Sequence, residues 1–276
     1  MPRVACVQMD VIFGDIDTNV TVITRAICDL AEKQVDIAVF PECCLAGYCI
    51  NSAEERSKIG IDKSSADLVT IQTTVDATGV TAIFGFSEHT GGEYYNTAAL
   101  FQPNYQPQFY RKTHLPELGY DRFVTSGQEL PVFDTKFGKI ALLICFDVKF
   151  PEPARIVALK GADVIFIPTN WPRGADISAD VLAVARAAEN KVFVVTCNRV
   201  GTERGFSFIG KSKIISPMGQ IIASAGAYEE VIIGDLDFEI SRDKRNVTIP
   251  GKHETTVFES RRPELYGPIL SQTEQN

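Results

Sequence analysis

The sequence lacks the features by which several classes of protein are recognised. It has no uninterrupted apolar run approaching the roughly 18 residues that a membrane-spanning helix needs, so no membrane association is expected. It has no basic stripe with interleaved aromatic residues, and its formal net charge of −8 argues against a nucleic-acid partner. Its seven cysteines include no CxxC pair of the kind that binds zinc, so no metal site is predicted.

The amino terminus also lacks the long apolar segment of a secretory signal, because Asp10 interrupts it before any site that resembles a cleavage site. The cysteines are odd in number and irregularly spaced, which favours a reducing compartment over a disulfide framework. These observations predict a cytoplasmic protein.

Apolar segments rich in β-branched residues alternate with segments of helical period, which is typical of an α/β fold. The order "QVDIAVFPE", helix, "VTAIFGF" recurs as "GADVIFIPTN", helix, "KVFVVTCN", and no linker separates the two copies. The repeat predicts two similar layered halves within a single domain spanning residues 1–276. From about residue 242 the chain is charged and aperiodic, and we expect this extension to lie along the surface or to reach a partner subunit. Helices are predicted over 18–34, 65–78, 152–160 and 177–190.

Polar residues stand where four of the predicted strands end. In open α/β sheets the functional residues lie beyond the carboxyl ends of strands, where loops converge on a crevice. The four residues are a carboxylate, an ammonium group, a thiol and an amide: Glu42, Lys112, Cys145 and Asn170. A strand that serves only the core has no reason to end in such groups, so we expect them to meet in one site.

Cys145 is the candidate nucleophile. A cysteine after an apolar run is most often a small core residue, but "CFDVKFPEPAR" reads as a strand-to-helix elbow whose N–H groups would favour the thiolate. The sequence offers no well-placed histidine to act as the base. Of its three histidines, His114 lies two residues from Lys112 and suits a supporting hydrogen bond, and His253 lies in the charged extension. Glu42 is therefore the preferred base, with Lys112 offsetting the negative charge.

With these residues assembled, the sequence resembles the nitrilase superfamily of carbon–nitrogen hydrolases. The motifs that carry the resemblance are "VFPE" at Glu42, "YRKTHL" at Lys112 and "ICFD..FPE" at Cys145, and the similarity extends from "ACVQM" to "GDLD". The resemblance implies a four-layer αββα sandwich of two mixed β-sheets and a Glu42–Lys112–Cys145 triad that uses no cofactor or metal. It also implies a homodimer or a larger even-numbered homo-oligomer.

A second carboxylate usually follows the lysine in this family, and here the match is imperfect. Within "KTHLPELGYDRFVTSG", Asp121 fits the expected position better, whereas Glu117 falls too early. Asp121 would be shorter than the usual glutamate by one methylene group.

The chemistry that the resemblance implies is hydrolysis of a small amide or N-carbamoyl compound to an acid and ammonia. Cys145 would attack the substrate carbon while Glu42 accepts its proton, and a water would then cleave the thioester. Lys112 and the backbone N–H of Phe146 would stabilise the oxyanion. Phe146 itself is similar to the amide-hydrolysing branches, because a tryptophan often follows the nucleophile in nitrile-hydrolysing members.

Four further residues are predicted to bind the substrate. Trp171, the only tryptophan, would form a pocket wall, although a core position is an equally good interpretation. Arg173 would pair with a substrate carboxylate, with an ordinary exposed loop position as the alternative. Tyr48 and Asn170 would line the same pocket.

Two other functions stay open. One is a nitrilase that acts on a nitrile. The other is a non-catalytic, redox-responsive protein of the same fold, in which Cys43, Cys44 and Cys145 would be oxidation sites.

Overall fold

The computed structural model describes residues 1–271, in two compact units: Met1–Arg242 and a second unit that begins at Asp243. Within the described residues, none of the helices combines the length and the apolar character needed to cross a bilayer.

The first unit contains a six-stranded mixed sheet, five strands of which come from the first half of the chain. Its strands lie in the order β14-β1-β2-β3-β4-β5, with β1, β2 and β3 parallel and the others antiparallel to their neighbours. The bounds are β1 Arg3–Gln8, β2 Ile37–Val39, β3 Thr81–Thr90, β4 Glu93–Phe101, β5 Gln108–Arg111 and β14 Glu230–Asp235.

A second six-stranded mixed sheet repeats this plan, in the order β13-β12-β9-β8-β7-β6, with β7, β8 and β9 parallel. The bounds are β6 Val132–Asp134, β7 Lys139–Leu142, β8 Val164–Thr169, β9 Phe193–Asn198, β12 Lys213–Ile215 and β13 Ile221–Ser224. A short hairpin of β10 (Thr202–Glu203) and β11 (Phe206–Ser207) follows β9.

The helices begin and end at residues suited to those positions. The side chains of Asp15 and Ser65 accept hydrogen bonds from the first turns of α1 and α3, and Gly79 ends α3 in the left-handed conformation that glycine adopts most readily. Pro151 opens α4, where its missing N–H costs nothing. The bounds are α1 Ile16–Glu32, α2 Ala53–Ile59, α3 Ala66–Thr78, α4 Pro151–Leu159, α5 Ala183–Asn190 and α6 Phe238–Arg242.

The layers stack as predicted. The apolar faces of α1 and α3 share one core with the first sheet, and α5 packs on β9 and β12 of the second. The sheets face each other: the Cys197 thiol on β9 lies 3.4 Å from the carbonyl oxygen of Val7 and 3.1 Å from that of Val39, on β1 and β2. The four-layer αββα sandwich is thereby confirmed, and it brings strand ends from both sheets to one region.

The sequence prediction differs from the structure in three places. The predicted helix over 177–190 begins with a π-helical turn, Ser178–Leu182, before α5. The elements that were not predicted are all short: helices α2 and α6, the edge strands β6 and β13, and the hairpin of β10 and β11. The extension contains regular structure that its sequence did not predict: a hairpin of β15 (Arg245–Ile249) and β16 (His253–Thr256), followed by the turns Pro263–Leu265 and Gly267–Leu270. All hairpin residues are exposed or half-buried, so no apolar alternation marks the strands.

Candidate active site

Glu42 lies just beyond β2, in a turn that presses against β3. A Cβ atom added at Gly85 would lie 2.5 Å from the Cα atom of Glu42 and 2.6 Å from the nitrogen of Cys43. Only glycine therefore allows the turn to approach this closely. The result is a carboxylate that is completely shielded from solvent.

Lys112, directly after β5, places its ammonium group between two carboxylates. Its Nζ atom lies 2.8 Å from Oε1 of Glu42 and 2.5 Å from Oδ2 of Asp121, and Lys112 and both acids are buried. Burial alone would lower the pKa of Lys112, but Asp121 and Glu42 raise it well above its ordinary value. The lysine is held as a cation.

Asn96, on β4, connects the same two acids. Its Nδ2 atom donates to Oε1 of Glu42 and to Oδ1 of Asp121, both at 2.7 Å. Oε1 of Glu42 thus accepts two hydrogen bonds, whereas Oε2 has no hydrogen-bond partner among the described residues. One oxygen of Glu42 is fixed in place and the other is free to take a proton.

Tyr48 completes the surroundings of Asp121. Its hydroxyl lies 2.8 Å from Oδ2 of Asp121 and 3.0 Å from the carbonyl oxygen of Leu118. Burial and the charge of Asp121 hold the pKa of Tyr48 well above its ordinary value, so the hydroxyl stays a donor. Glu117 takes no part in this arrangement, since its side chain is 96% exposed.

Cys145 comes from the second sheet, three residues after β7. It begins the short 3-10 helix Cys145–Lys149 with a φ of +44°, in the left-handed region that a residue with a side chain adopts only at a cost. The cysteine is half-buried, and the backbone N–H of Asn170, just after β8, acts to lower its pKa.

The prediction that helix N–H groups favour the Cys145 thiolate stays a prediction, because burial dominates the pKa of this thiol. Burial raises the pKa of Cys145 well above its ordinary value, and the charge of Glu42 raises it further; Lys112 and the N–H of Asn170 oppose this shift without overcoming it. Burial, followed by the charge of Asp121, also raises the pKa of Glu42, although Lys112 and Asn96 lower it. The resting cysteine is therefore a thiol that needs a base.

Asp147, two residues after Cys145, ties the elbow to the lysine segment. Its buried carboxylate accepts from the backbone N–H of Ile144 at 2.9 Å and from the Tyr110 hydroxyl at 2.7 Å. It also contacts Nδ1 of His114 at 2.8 Å. His114 therefore occupies the supporting position expected of it, and Asp147 fixes the end of β7 relative to the residues around Lys112.

The predicted substrate-binding residues occupy different environments. Trp171 is buried, with 3% of its surface exposed, and its backbone N–H donates to Asn198. Asn170 is buried too, and neither atom of its side-chain amide has a hydrogen-bond partner among the described residues. Phe146 is half-buried with its ring edge-on to that of Phe150, and Arg173 is exposed. Tyr48 binds Asp121 rather than standing as a bare pocket wall.

Sequence reasoning missed Asn96 as a member of the site. The available signal was an Asn–Thr pair within the otherwise apolar segment "YYNTAALF", because a polar residue inside a buried strand needs a partner. Within residues 1–271, no three His, Cys, Asp or Glu side chains are grouped so that they could hold a metal ion.

Comparison with known proteins agrees with this geometry. The sequence profile of the carbon–nitrogen hydrolase family matches residues 3–246. The chain is 35% identical to a nitrilase from Pyrococcus abyssi, over 96% of this chain and 99% of the relative. It is 30% identical to a 2-oxoglutaramate amidase from Bacillus subtilis, over 95% of this chain and 98% of the relative. The crystal structure of Saccharomyces cerevisiae Nit3, a member of branch 10 of the nitrilase superfamily, matches 87% of this chain and 91% of its own, with a TM-score of 0.78 and 25% identity.

Proposed function

The chain belongs to the carbon–nitrogen hydrolase family of the nitrilase superfamily, and we propose that it converts a small amide or N-carbamoyl compound to an acid and ammonia. Glu42, Lys112 and Cys145 are the proposed triad, with Asp121 as the fourth catalytic-site residue. The observation that carries the proposal is the asymmetry of Glu42, whose Oε1 is held by Lys112 and Asn96 while its Oε2 has no hydrogen-bond partner among the described residues.

In the first half-reaction, Glu42 takes the thiol proton as the sulfur of Cys145 bonds to the substrate carbon. The C–N bond then breaks, and the proton on Glu42 passes to the departing nitrogen, which leaves as ammonia. In the second half-reaction, a water gives its proton to Glu42 and its oxygen attacks the thioester. The C–S bond breaks, the acid is released, and the proton returns to the sulfur.

Lys112 would stabilise the negative oxygen that develops in both half-reactions. Glu42 and Asp121 occupy two of its three N–H bonds and leave one to point at the substrate. The backbone N–H of Phe146 is the second proposed donor, because it lies in the first turn of a helix, where N–H groups have no intrahelical partner. Loss of one such donor typically lowers kcat by about 10²- to 10³-fold.

The substrate pocket would be completed by Tyr48, Asn170, Trp171 and Arg173. The amide of Asn170 is the most informative of these, because a buried amide without a partner is unfavourable until something binds it. We propose that a polar group of the substrate does so. Arg173, exposed beside Trp171, would pair with a carboxylate of the substrate.

A nitrile is the second candidate substrate. The 35% identity to the Pyrococcus abyssi nitrilase favours it, and the same thiol could add to a nitrile carbon. Phe146 in place of tryptophan favours an amide. The redox-responsive alternative has less support, because Cys43 and Cys44 are completely buried and burial raises the pKa of Cys44 to about 12.

Ammonia release from matched panels of amides, N-carbamoyl compounds and nitriles tests the proposal. We expect release from the amide or carbamoyl panel, lost in Cys145→Ala and kept in the control Cys28→Ala, which removes an exposed cysteine. Release from nitriles alone would support the second candidate. Activity that survives Cys145→Ala would overturn both.

Location and assembly are further parts of the proposal: a cytoplasmic homodimer or larger even-numbered oligomer. Apolar side chains that stand in solvent on α4 and on the turn before α5 support the assembly, and a second copy would cover them: Ile156, Leu159, Ile177 and Val181. Light scattering on the purified chain measures the number of subunits.

A further inference from the structure

A further buried carboxylate, that of Glu203, is linked to the candidate active site through Tyr48. It stands at the end of β10, and its side chain is 2% exposed. Its Oε1 atom accepts hydrogen bonds from the backbone nitrogens of Tyr48, at 2.8 Å, and Cys49, at 2.5 Å. Glu203 therefore holds the main chain at the residue whose hydroxyl binds Asp121.

Arg199 binds the other oxygen of the Glu203 carboxylate. Its Nη1 atom lies 2.5 Å from Oε2 of Glu203, and the arginine is completely buried. Its Nη2 atom donates to Oδ1 of Asp10 at 2.8 Å and to the carbonyl oxygen of Val11 at 2.9 Å. Both oxygens of Glu203 are thus bound, and its negative charge is compensated within the protein.

The approach of this carboxylate to the Tyr48 loop requires glycine at position 47. Gly47 has a φ of +89°, and a Cβ atom there would lie 2.8 Å from Oε2 of Glu203. A glycine at this point allows the carboxylate to reach two consecutive backbone N–H groups. The contact between Glu203 and the backbone of Tyr48 therefore depends on the positive φ of Gly47.

We propose that Glu203 is a positioning residue of the catalytic centre. It fixes the backbone of Tyr48, the Tyr48 hydroxyl fixes Asp121, and Asp121 orients the ammonium group of Lys112. This inference rests on the proposed hydrolase function and deepens it. Glu203 touches neither Lys112 nor Cys145 in any described contact, and Tyr48 is the residue that links it to Asp121.

A double-mutant cycle distinguishes this role from a contribution to folding alone. Glu203→Gln keeps the size of the side chain but removes the charge that binds Arg199, and Tyr48→Phe removes only the hydroxyl. We expect Glu203→Gln to lower kcat about 10- to 100-fold with little change in KM, because the loss falls on transition-state stabilisation. In the Tyr48→Phe background we expect the same change to lower kcat less than about 3-fold, because residues of one network are not additive. Equal losses in both backgrounds, or no loss in either, would overturn the proposal.

Glu55→Gln is the matched control. Glu55 also pairs with an arginine, Arg204, and accepts from a backbone nitrogen, that of Asn51, but it makes no contact with Tyr48 or Glu203. We expect its kcat to match the wild type. Thermal unfolding curves identify an assay temperature at which every variant is folded.

A second readout does not depend on hydrolase activity. The rate of Cys145 alkylation by iodoacetamide, followed by mass in the Cys28→Ala background, reports how well Lys112 stabilises the thiolate. We expect Glu203→Gln to slow alkylation several-fold, with little further effect when Tyr48→Phe is present. If the chain releases no ammonia from any panel, this cycle still decides the role of Glu203, and additive effects on alkylation would count against it.

Discussion

Oε1 of Glu42 and Nζ of Lys112 lie 2.8 Å apart, and both side chains are completely buried. A buried pair of this kind is costly to desolvate and seldom adds much stability. Asp121 brings a second negative charge to the same lysine, so the cluster carries one negative charge in excess. Burial is the main reason that Glu42 has a raised pKa, and the charge of Asp121 adds to it although Lys112 opposes it, which gives this carboxylate an affinity for protons suited to a base.

On the acid limb of the pH–rate profile, kcat/KM should fall at a pH above the pKa of an ordinary glutamate. Glu42 must be ionised to accept the thiol proton, and its pKa is raised above the usual value of 4.5. Activity is therefore expected to be full well above that raised pKa and to fall as the pH drops through it. Measurement of kcat/KM from neutral to acid pH, with circular dichroism at each point, checks this. A rate that stays constant down to pH 4.5 in folded protein would contradict it.

Two substitutions next to Glu42 should shift this acid limb in opposite directions. The hydrogen bond from Asn96 lowers the pKa of Glu42, so Asn96→Ala should move the limb to higher pH. The charge of Asp121 raises the same pKa, so Asp121→Asn should move it to lower pH, with a lower maximal rate because Lys112 loses a partner. The same profiles measured on both variants provide the check. Shifts in one common direction would mean that Glu42 is not the group that titrates.

Glu42→Gln should accumulate an acyl-enzyme. A p-nitrophenyl ester carries a leaving group that needs no proton, and loss of the Glu42 charge lowers the pKa of Cys145 beside Lys112, so Cys145 can still be acylated, whereas the attacking water has lost its base. We expect a burst of about one equivalent of p-nitrophenolate, followed by turnover about 10²- to 10⁴-fold slower than in the wild type. Mass spectrometry should place the adduct on Cys145. Steady release without a burst would show that another group activates the water.

Gly85→Ala should destabilise the protein and impair the site together. The new methyl group would overlap the backbone of Glu42 and Cys43, and overpacking of this kind costs about 1–3 kcal/mol. Gly226→Ala is the control, because a Cβ atom there meets its nearest neighbour at 3.8 Å. Urea unfolding gives the two free energies of unfolding, and kcat is measured where both variants are folded. Equal stability of the two variants would refute the close approach at Gly85.

Much of the α/β architecture could be predicted from the sequence, because the buried strands correspond to continuous apolar segments rich in β-branched residues. The helices α1, α3 and α4 were predicted to within about two residues of their bounds for a similar reason, since their apolar spacing and their caps agree. The hairpin of β15 and β16 could not be found in this way, because it has no buried face to impose a pattern.

The site was only partly predictable, for a different physical reason. Glu42, Lys112 and Cys145 stand at strand ends, and topology brings such positions together. Asn96 lies within a strand, and the backbone partners of Glu203, Tyr48 and Cys49, are more than 150 positions away along the chain, so local patterns carry no sign of either contact. The protonated state of Cys145 depends on the sum of burial and neighbouring charge, which the short elbow sequence does not contain.

The two sheets divide the proposed triad between them: Glu42 and Lys112 follow strands of the first, and Cys145 follows a strand of the second. Neither half can react by itself, however well ordered its own strands are. A partly folded chain in which only one sheet has formed would show no hydrolase activity. During refolding, turnover should return only when the two sheets have packed together. Enzymatic rate should therefore report when that packing is complete.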